Sequence, residues 1–166
     1  LHAAAPFHTS PRRVLARVNS DIYEDLSGVG MFITIFFAYY DAKTRKLTYA
    51  NTGHAPVLFY RNSTDTCEFW EPDGPPVGVL SEITSEDHAI HLEEGDVLVI
   101  MSDGFNEAAN SQGQMFGIQR LQEMITVNAQ RSAGSIRAAL LSAVETFAEG
   151  RLQADDQTVV VLKVTG

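Results

Sequence analysis

Two stretches constrain this chain most: Val97-Leu98-Val99-Ile100-Met101-Ser102-Asp103-Gly104 and Asp155-Asp156-Gln157-Thr158-Val159-Val160-Val161-Leu162. Each joins an unbroken β-branched and aliphatic run to an acidic end, so each reads as a buried strand with a carboxylate at its mouth. Water reaches such a carboxylate from one side and an apolar wall faces the other, which makes ionisation costly unless a cation or donor stands opposite. Two of them suggest a metal. Asp103 and Asp155 lie 52 residues apart, and no D-x-[DN]-x-[DN]-G loop is present, so the site would have to be built by tertiary structure. Oxygen ligands with no Cys or His nearby in sequence favour Mg²⁺ or Mn²⁺ over Zn²⁺. Residue type alone also allows a plainer reading, with Asp103-Gly104 a turn and Asp155-Asp156 a polar strand start.

With 166 residues and 45% hydrophobic content, the chain is expected to form a single domain spanning residues 1–166. A formal charge of -9 argues against nucleic acid or an anionic membrane as the main partner, because both reward clustered Lys and Arg. The single cysteine, Cys67, excludes an intramolecular disulfide framework and a multi-cysteine zinc site, in keeping with a reducing cytoplasm. It falls in the strand-like run Thr66 to Glu71 and reads as a packed thiol. No apolar stretch approaches the ~20 residues that span a bilayer, and no signal-peptide pattern opens the chain. The chain begins at Leu1 without Met, in Leu1-His2-Ala3-Ala4-Ala5, which reads as the tail of a helix cut from a longer protein.

Thr9-Ser10-Pro11 is a capping signal, and Val14, Leu15, Val18, Ile22 and Leu26 recur at helical spacing, so a helix is predicted from Pro11 to about Leu26. Ser27-Gly28-Val29-Gly30 ends it. Met31 to Tyr40 is nearly continuously apolar and reads as a central strand covered on both faces, pairing through a hairpin with the strand Leu47 to Asn51. Val57 to Tyr60 and Cys67 to Trp70 extend the region into an antiparallel meander. Pro72 to Gly78 is too rich in Pro and Gly for a regular element. Alternation resumes at Asp87 to Leu92, followed by the strand Val97 to Met101. Ile118 to Ile125 and Ile136 to Phe147 give two helices, the second capped near Ser132 to Ser135 and ended by Gly150, and the chain closes on Thr158 to Val164. Many antiparallel strands with grouped helices make an α+β layered fold.

Several segments together resemble the PPM-type serine phosphatases of the bacterial sporulation and stress-response branch, the SpoIIE-like domain. They are Gly30-Met31-Phe32-Ile33-Thr34, then Leu47-Thr48-Tyr49-Ala50-Asn51-Thr52-Gly53-His54-Ala55-Pro56, then Gly74-Pro75-Pro76-Val77-Gly78-Val79. Glu94-Gly95-Asp96, Ser102-Asp103-Gly104-Phe105-Asn106-Glu107-Ala108, Phe116-Gly117 and Asp155-Asp156-Gln157-Thr158 follow in the family's order. The resemblance implies an antiparallel αββα sandwich whose cleft holds two Mn²⁺ or Mg²⁺ ions through aspartates at strand ends. It implies Asp103 and Asp155 as catalytic metal ligands, Gly104 as the residue that permits close backbone approach, and Asp156 as a further metal-site residue that binds or orients. It implies a protein serine/threonine phosphatase acting on a phosphorylated anti-anti-sigma (STAS-type) protein in sigma-factor signalling, in the cytoplasm, with a sensor or receiver domain upstream in the parent chain.

The family's first strands, with the glycine-aspartate segment that supplies a bridging ligand, should precede the helix that ends near Leu1. They are missing, so the domain is expected to be N-terminally truncated, with weak metal binding and little activity. A strand gap would also expose an edge that invites a homodimer or strand exchange. A second reading from another class is a catalytically incompetent regulatory or binding module of the same fold. His54, in the N-x-G-H-x-P loop, reads as structural, tying the turn through its ring nitrogens. His88 and His91 fall on opposite faces of one strand and do not make a metal pair. Glu107 is near enough to the Asp-Gly turn to reach the site through water, or else serves the surface. Phe69 and Trp70 read as core or contact residues.

Overall fold

The structure, a computed structural model, describes residues 10–151 and 155–166. The expected helix tail at Leu1 to Ala5 lies outside them. The chain forms two compact units, each built on one antiparallel sheet with helical packing, so the α+β expectation is borne out.

The first unit comprises the described residues up to His54 together with Pro72–Leu92. Its helix α1, Pro11–Val29, is capped by Ser10, whose Oγ accepts from the Arg13 amide, and it stops where Gly30 turns left-handed at φ 67. Such a side-chain cap contributes about 1 kcal/mol, and glycine reaches that backbone region without a Cβ penalty. The helix packs on β1, Ile35–Asp41, and β2, Lys46–Thr52. These form the predicted hairpin, with Ile35 opposite Thr52 and Asp41 opposite Lys46. β5, His88–His91, pairs with the other side of β2, giving the order β1-β2-β5.

The expectation of a central strand at Met31 to Tyr40 is corrected. β1 begins at Ile35, is half-buried throughout and lies at the edge of its sheet. Met31 and Phe32 precede it at 62% and 60% exposure. Apolarity alone therefore did not mark two-sided cover. Pro72 to Gly78 forms no regular element, and isolated bridges tie Gly74 to Thr52 and Val77 to Ile33.

The second unit comprises Ala55–Glu71 and Glu93–Gly166. Its sheet runs β4-β3-β6-β7, with β3 Val57–Arg61, β4 Thr66–Phe69, β6 Val97–Met101 and β7 Val159–Lys163. The expected single meander is thus two hairpins in different sheets. β2 takes β5 as its second partner and β3 takes β6. Helices α2, Gly117–Asn128, and α3, Ala133–Ala148, cover this sheet, and Ser132 caps α3 as expected. Leu121, Ile125, Ile136, Leu140 and Val144 from the helices meet Leu58, Tyr60, Val97, Val99 and Met101 from the strands, and all ten are buried. Each large apolar side chain removed from water contributes about 1.5–3 kcal/mol. That core holds the ends of β6 and β7 in fixed register.

Candidate functional site

The two acidic stretches come together because β6 and β7 are neighbours. Met101 stands opposite Val159, so the turn leaving β6 and the segment leading into β7 emerge at the same end of the sheet. Ser102 joins them. Its amide donates to the Thr158 carbonyl at 3.0 Å, its Oγ donates to the Asp156 carbonyl at 2.7 Å, and the same Oγ accepts from the Thr158 amide at 2.9 Å. Gln157 adds a fourth tie, its Nε2 donating to the Gly104 carbonyl at 3.1 Å.

Gly104 is buried in this junction. A Cβ there would lie 2.7 Å from the Asp156 carbonyl oxygen and 3.2 Å from that of Asp155. The constraint is steric contact with neighbouring backbone, so any side chain would push the two segments apart. Phe105 follows at 0% exposure and anchors the turn in the core. The Asp103 carbonyl accepts from the Glu107 amide at 2.9 Å, so the residues after Asp103 fold back in a tight turn.

Asp103, Asp155 and Asp156 are all exposed. The Asp155 Oδ1 accepts from the Asp156 amide at 2.7 Å, which fixes one carboxylate oxygen against the chain. The expectation of two buried strands with an apolar wall pressing on these carboxylates is corrected: β6 is buried, but β7 is a half-buried edge strand with Val160 exposed, and the acidic ends project into water.

The donor set tests the implied metal. The side chains of Asp103, Asp155 and Asp156 offer oxygen donors only, the type that suits a hard divalent cation. The count is short of a closed site, since among the described residues no group of three or more His, Cys, Asp or Glu is placed to hold a metal ion. The chemistry fits and the ligand number is incomplete.

His54, His88 and His91 all lie in the first unit. In the first unit the His54 amide donates to Asn51 Oδ1 and the Asn51 Nδ2 donates back to the His54 carbonyl, both at 2.9 Å. Backbone groups of His54 thus tie the turn, and its ring Nδ1 lies 3.4 Å from Thr34 Oγ1. His88 stacks on Tyr49 at 5.1 Å and places Nε2 2.7 Å from Asp73 Oδ2, while His91 is exposed. Neither makes a metal pair with the other. Cys67 packs in β4, and burial pushes its thiol up to about 12. Trp70 packs on Phe59 at 4.9 Å.

Sequence reasoning assigned no role to Ser102 or Gln157, although both flank the aspartates. The signal was a hydroxyl and an amide placed next to paired acids, residue types that tie backbone segments together. It also missed a cavity of about 570 Å³ beside Gly104, Asp155 and Gln157, walled by residues of the 107–115 loop and of α3.

Residues 1–165 match the family described as stage II sporulation protein E (SpoIIE). The chain is 31% identical over 156 residues to phosphoserine phosphatase RsbU of Bacillus subtilis, covering 92% of this chain and 45% of RsbU. It therefore spans less than half the length of that relative. The SiaA-PP2C domain of Pseudomonas aeruginosa shares its fold at a TM-score of 0.82, with 17% identity, covering 93% of this chain and 61% of that one. The phosphatase domain of SpoIIE from Bacillus subtilis, presoaked in Mn, matches at a TM-score of 0.64 and 18% identity, covering 98% of this chain and 77% of that one. The likeness confirms the antiparallel, helix-flanked fold expected of PPM-type phosphatases.

Proposed function

The chain belongs to the SpoIIE family, and from that premise we propose that it is the metal-dependent serine/threonine phosphatase domain of a bacterial signalling protein. The observation that carries this reading is the junction of Ser102-Asp103-Gly104 with Asp155-Asp156-Gln157, closed by Ser102 and admitted by the missing side chain at Gly104. The family match over residues 1–165 supports treating residues 1–166 as one domain.

A phosphomonoester is an anion that repels hydroxide, so its hydrolysis needs charge neutralisation and an acidified water, which a bound pair of Mn²⁺ or Mg²⁺ ions supplies. Asp103 and Asp155 would hold the metal, with Asp156 orienting Asp155 through its amide and Gly104 allowing close approach. Ser102 and Gln157 keep the two segments in register. Completion of the metal site requires ligands beyond these carboxylates. The substrate is a phosphoserine or phosphothreonine protein of the anti-anti-sigma (STAS) type, a reading supported by the similarity to phosphoserine phosphatase RsbU. The setting is the cytoplasm, with a sensor or receiver domain in the parent protein. Among the described residues no helix is long and apolar enough to cross a membrane.

The test is hydrolysis of a phosphoserine protein by the full-length protein, with and without Mn²⁺. Metal-dependent release of phosphate that is lost on Asp103→Asn and on Asp155→Asn supports the reading. Absence of release under both conditions rejects it.

A further inference from the structure

The cavity beside Gly104 and Asp155 lies wholly within the second unit and has about 570 Å³ of space. Part of its wall is apolar: Met115 and Leu141 are large hydrophobic residues at 61% and 38% exposure, and Val144 and Ala148 join Leu141 on the α3 side. Large apolar side chains facing open space beside a polar site mark a surface that a ligand covers. The charged groups of the lining are Glu107, Glu145, Asp155 and Arg151. The Arg151 Nη1 donates to the Asn110 carbonyl at 2.8 Å, which directs that cation to the loop backbone. Leaving aside Asp155, whose carboxylate serves the metal, the cavity combines an aliphatic wall with two carboxylates, Glu107 and Glu145, against one cation, and it is continuous with the aspartate junction through Gly104, Asp155 and Gln157.

We propose that this cavity is a specificity subsite that receives a lysine or arginine side chain of the phosphoprotein substrate, from a residue close in sequence to the phosphoserine. The proposal rests on the phosphatase reading above and names the substrate feature recognised beside that site. Lysine and arginine carry a long apolar stem under a cationic tip, so the stem lies along Met115 and Leu141 while the tip meets Glu145 and Glu107. A wholly apolar residue would leave the carboxylates uncompensated, and an acidic one would be repelled. The phosphoryl group itself goes to the aspartate junction, so the two recognition events use different groups of one substrate.

The experiment measures kcat/KM of the full-length protein, with Mn²⁺, on phosphoserine peptides that differ only in one flanking residue: lysine, its shorter homologue 2,4-diaminobutyrate, norleucine or glutamate, scanned over the positions adjoining the phosphoserine. The expected result is a preference for lysine over norleucine at one position. That ratio should fall about threefold in Glu145→Gln, the size expected of one exposed charge pair, and the Met115→Ala variant should lose discrimination between long and short cationic side chains. Glu145 is exposed on α3, and thermal unfolding of each variant verifies that it folds. Failure to hydrolyse any peptide overturns the phosphatase reading and this proposal with it. Hydrolysis of all peptides at equal rates, a preference for norleucine, or a lysine preference unchanged in Glu145→Gln overturns the subsite alone.

Discussion

Gly104 sits directly against the Asp156 carbonyl, with room for a hydrogen but not for a methyl group, since a Cβ would lie 2.7 Å from that oxygen. The obstacle is backbone, which cannot rotate away as a side-chain tip would. Gly104→Ala is therefore expected to cost about 1–3 kcal/mol of stability through overpacking. It should also lower metal-dependent turnover by spreading the two acidic segments. Denaturant unfolding and phosphate release on the same preparation check both effects, and an alanine variant as stable and active as the parent would contradict the steric account.

Asp103→Asn and Asp155→Asn should separate turnover from stability. Both carboxylates are exposed, so the folded chain loses little when their charge is removed. Turnover should fall by at least about 100-fold, because charge stabilisation worth several kcal/mol is withdrawn from the reaction. Calorimetric titration with Mn²⁺ and unfolding curves separate the two consequences. Loss of stability without loss of metal binding would assign these aspartates to the fold instead.

Asn19 is 1% exposed within α1 and makes three contacts with a distant loop. Its Oδ1 accepts from the Gly78 amide at 2.9 Å, and its Nδ2 donates to the carbonyls of Leu80 and Ser81. Asn19→Ala strands the buried Gly78 amide, at an expected cost of about 1–3 kcal/mol. Hydrogen exchange should accelerate at Gly78 more than at the hairpin of β1 and β2.

Asp96 is fully buried and accepts from the amides of Asn62 and Glu93, both at 2.9 Å, and from Arg61 at 3.3 Å. Asp96→Ala is expected to destabilise by about 3–5 kcal/mol, the cost of breaking a buried pair from one side. Chemical denaturation should show an earlier midpoint with an unchanged slope.

Cys67 supplies a pH dependence of definite sign. Burial raises its folded thiol from 9.0 to about 12, so the unfolded chain gives up this proton first. The contribution to stability is fully present below pH 9 and is lost as pH rises from there through about 12. Unfolding experiments from pH 8 to 11 should show this decline, and Cys67→Ala should make it shallower, leaving the part due to Tyr60, whose hydroxyl burial also pushes up from 10.0. Native alkylation near pH 8 should be slow, because the thiolate is the reactive form.

The helices and the paired strands were legible because their periodicities are strong: the spacing of Val14, Leu15, Val18, Ile22 and Leu26 gave α1, and the runs at Val97 and Val159 gave β6 and β7. The pairing of those two strands was not legible from periodicity, since nothing local to Met101 states that Val159 lies opposite. Only the shared acidic ends hinted at it. The edge position of β1 was missed because a continuous apolar run looks the same at an edge as at a centre. Asn19 was missed for the converse reason: it interrupts the apolar face between Leu15 and Ile22, and a pattern search passes over the polar residue that the fold buries deliberately. The turn at His54 was legible, but hydrogen bonds of its backbone amide and carbonyl to Asn51 were not foreseen, because only its ring was weighed.

Ser102 binds backbone on both sides of Gln157, although more than fifty residues of chain run out from β6 through α2 and α3 before returning to β7. Viewed along the chain, the helical pair is a long excursion between the two jaws of a clasp, and the clasp is fastened only after the excursion is complete. A nascent or partly unfolded chain therefore carries its acidic residues without carrying their arrangement. The exposed faces of α2 and α3 make none of the clasp's hydrogen bonds, so a change of surface there leaves the same few atoms in place.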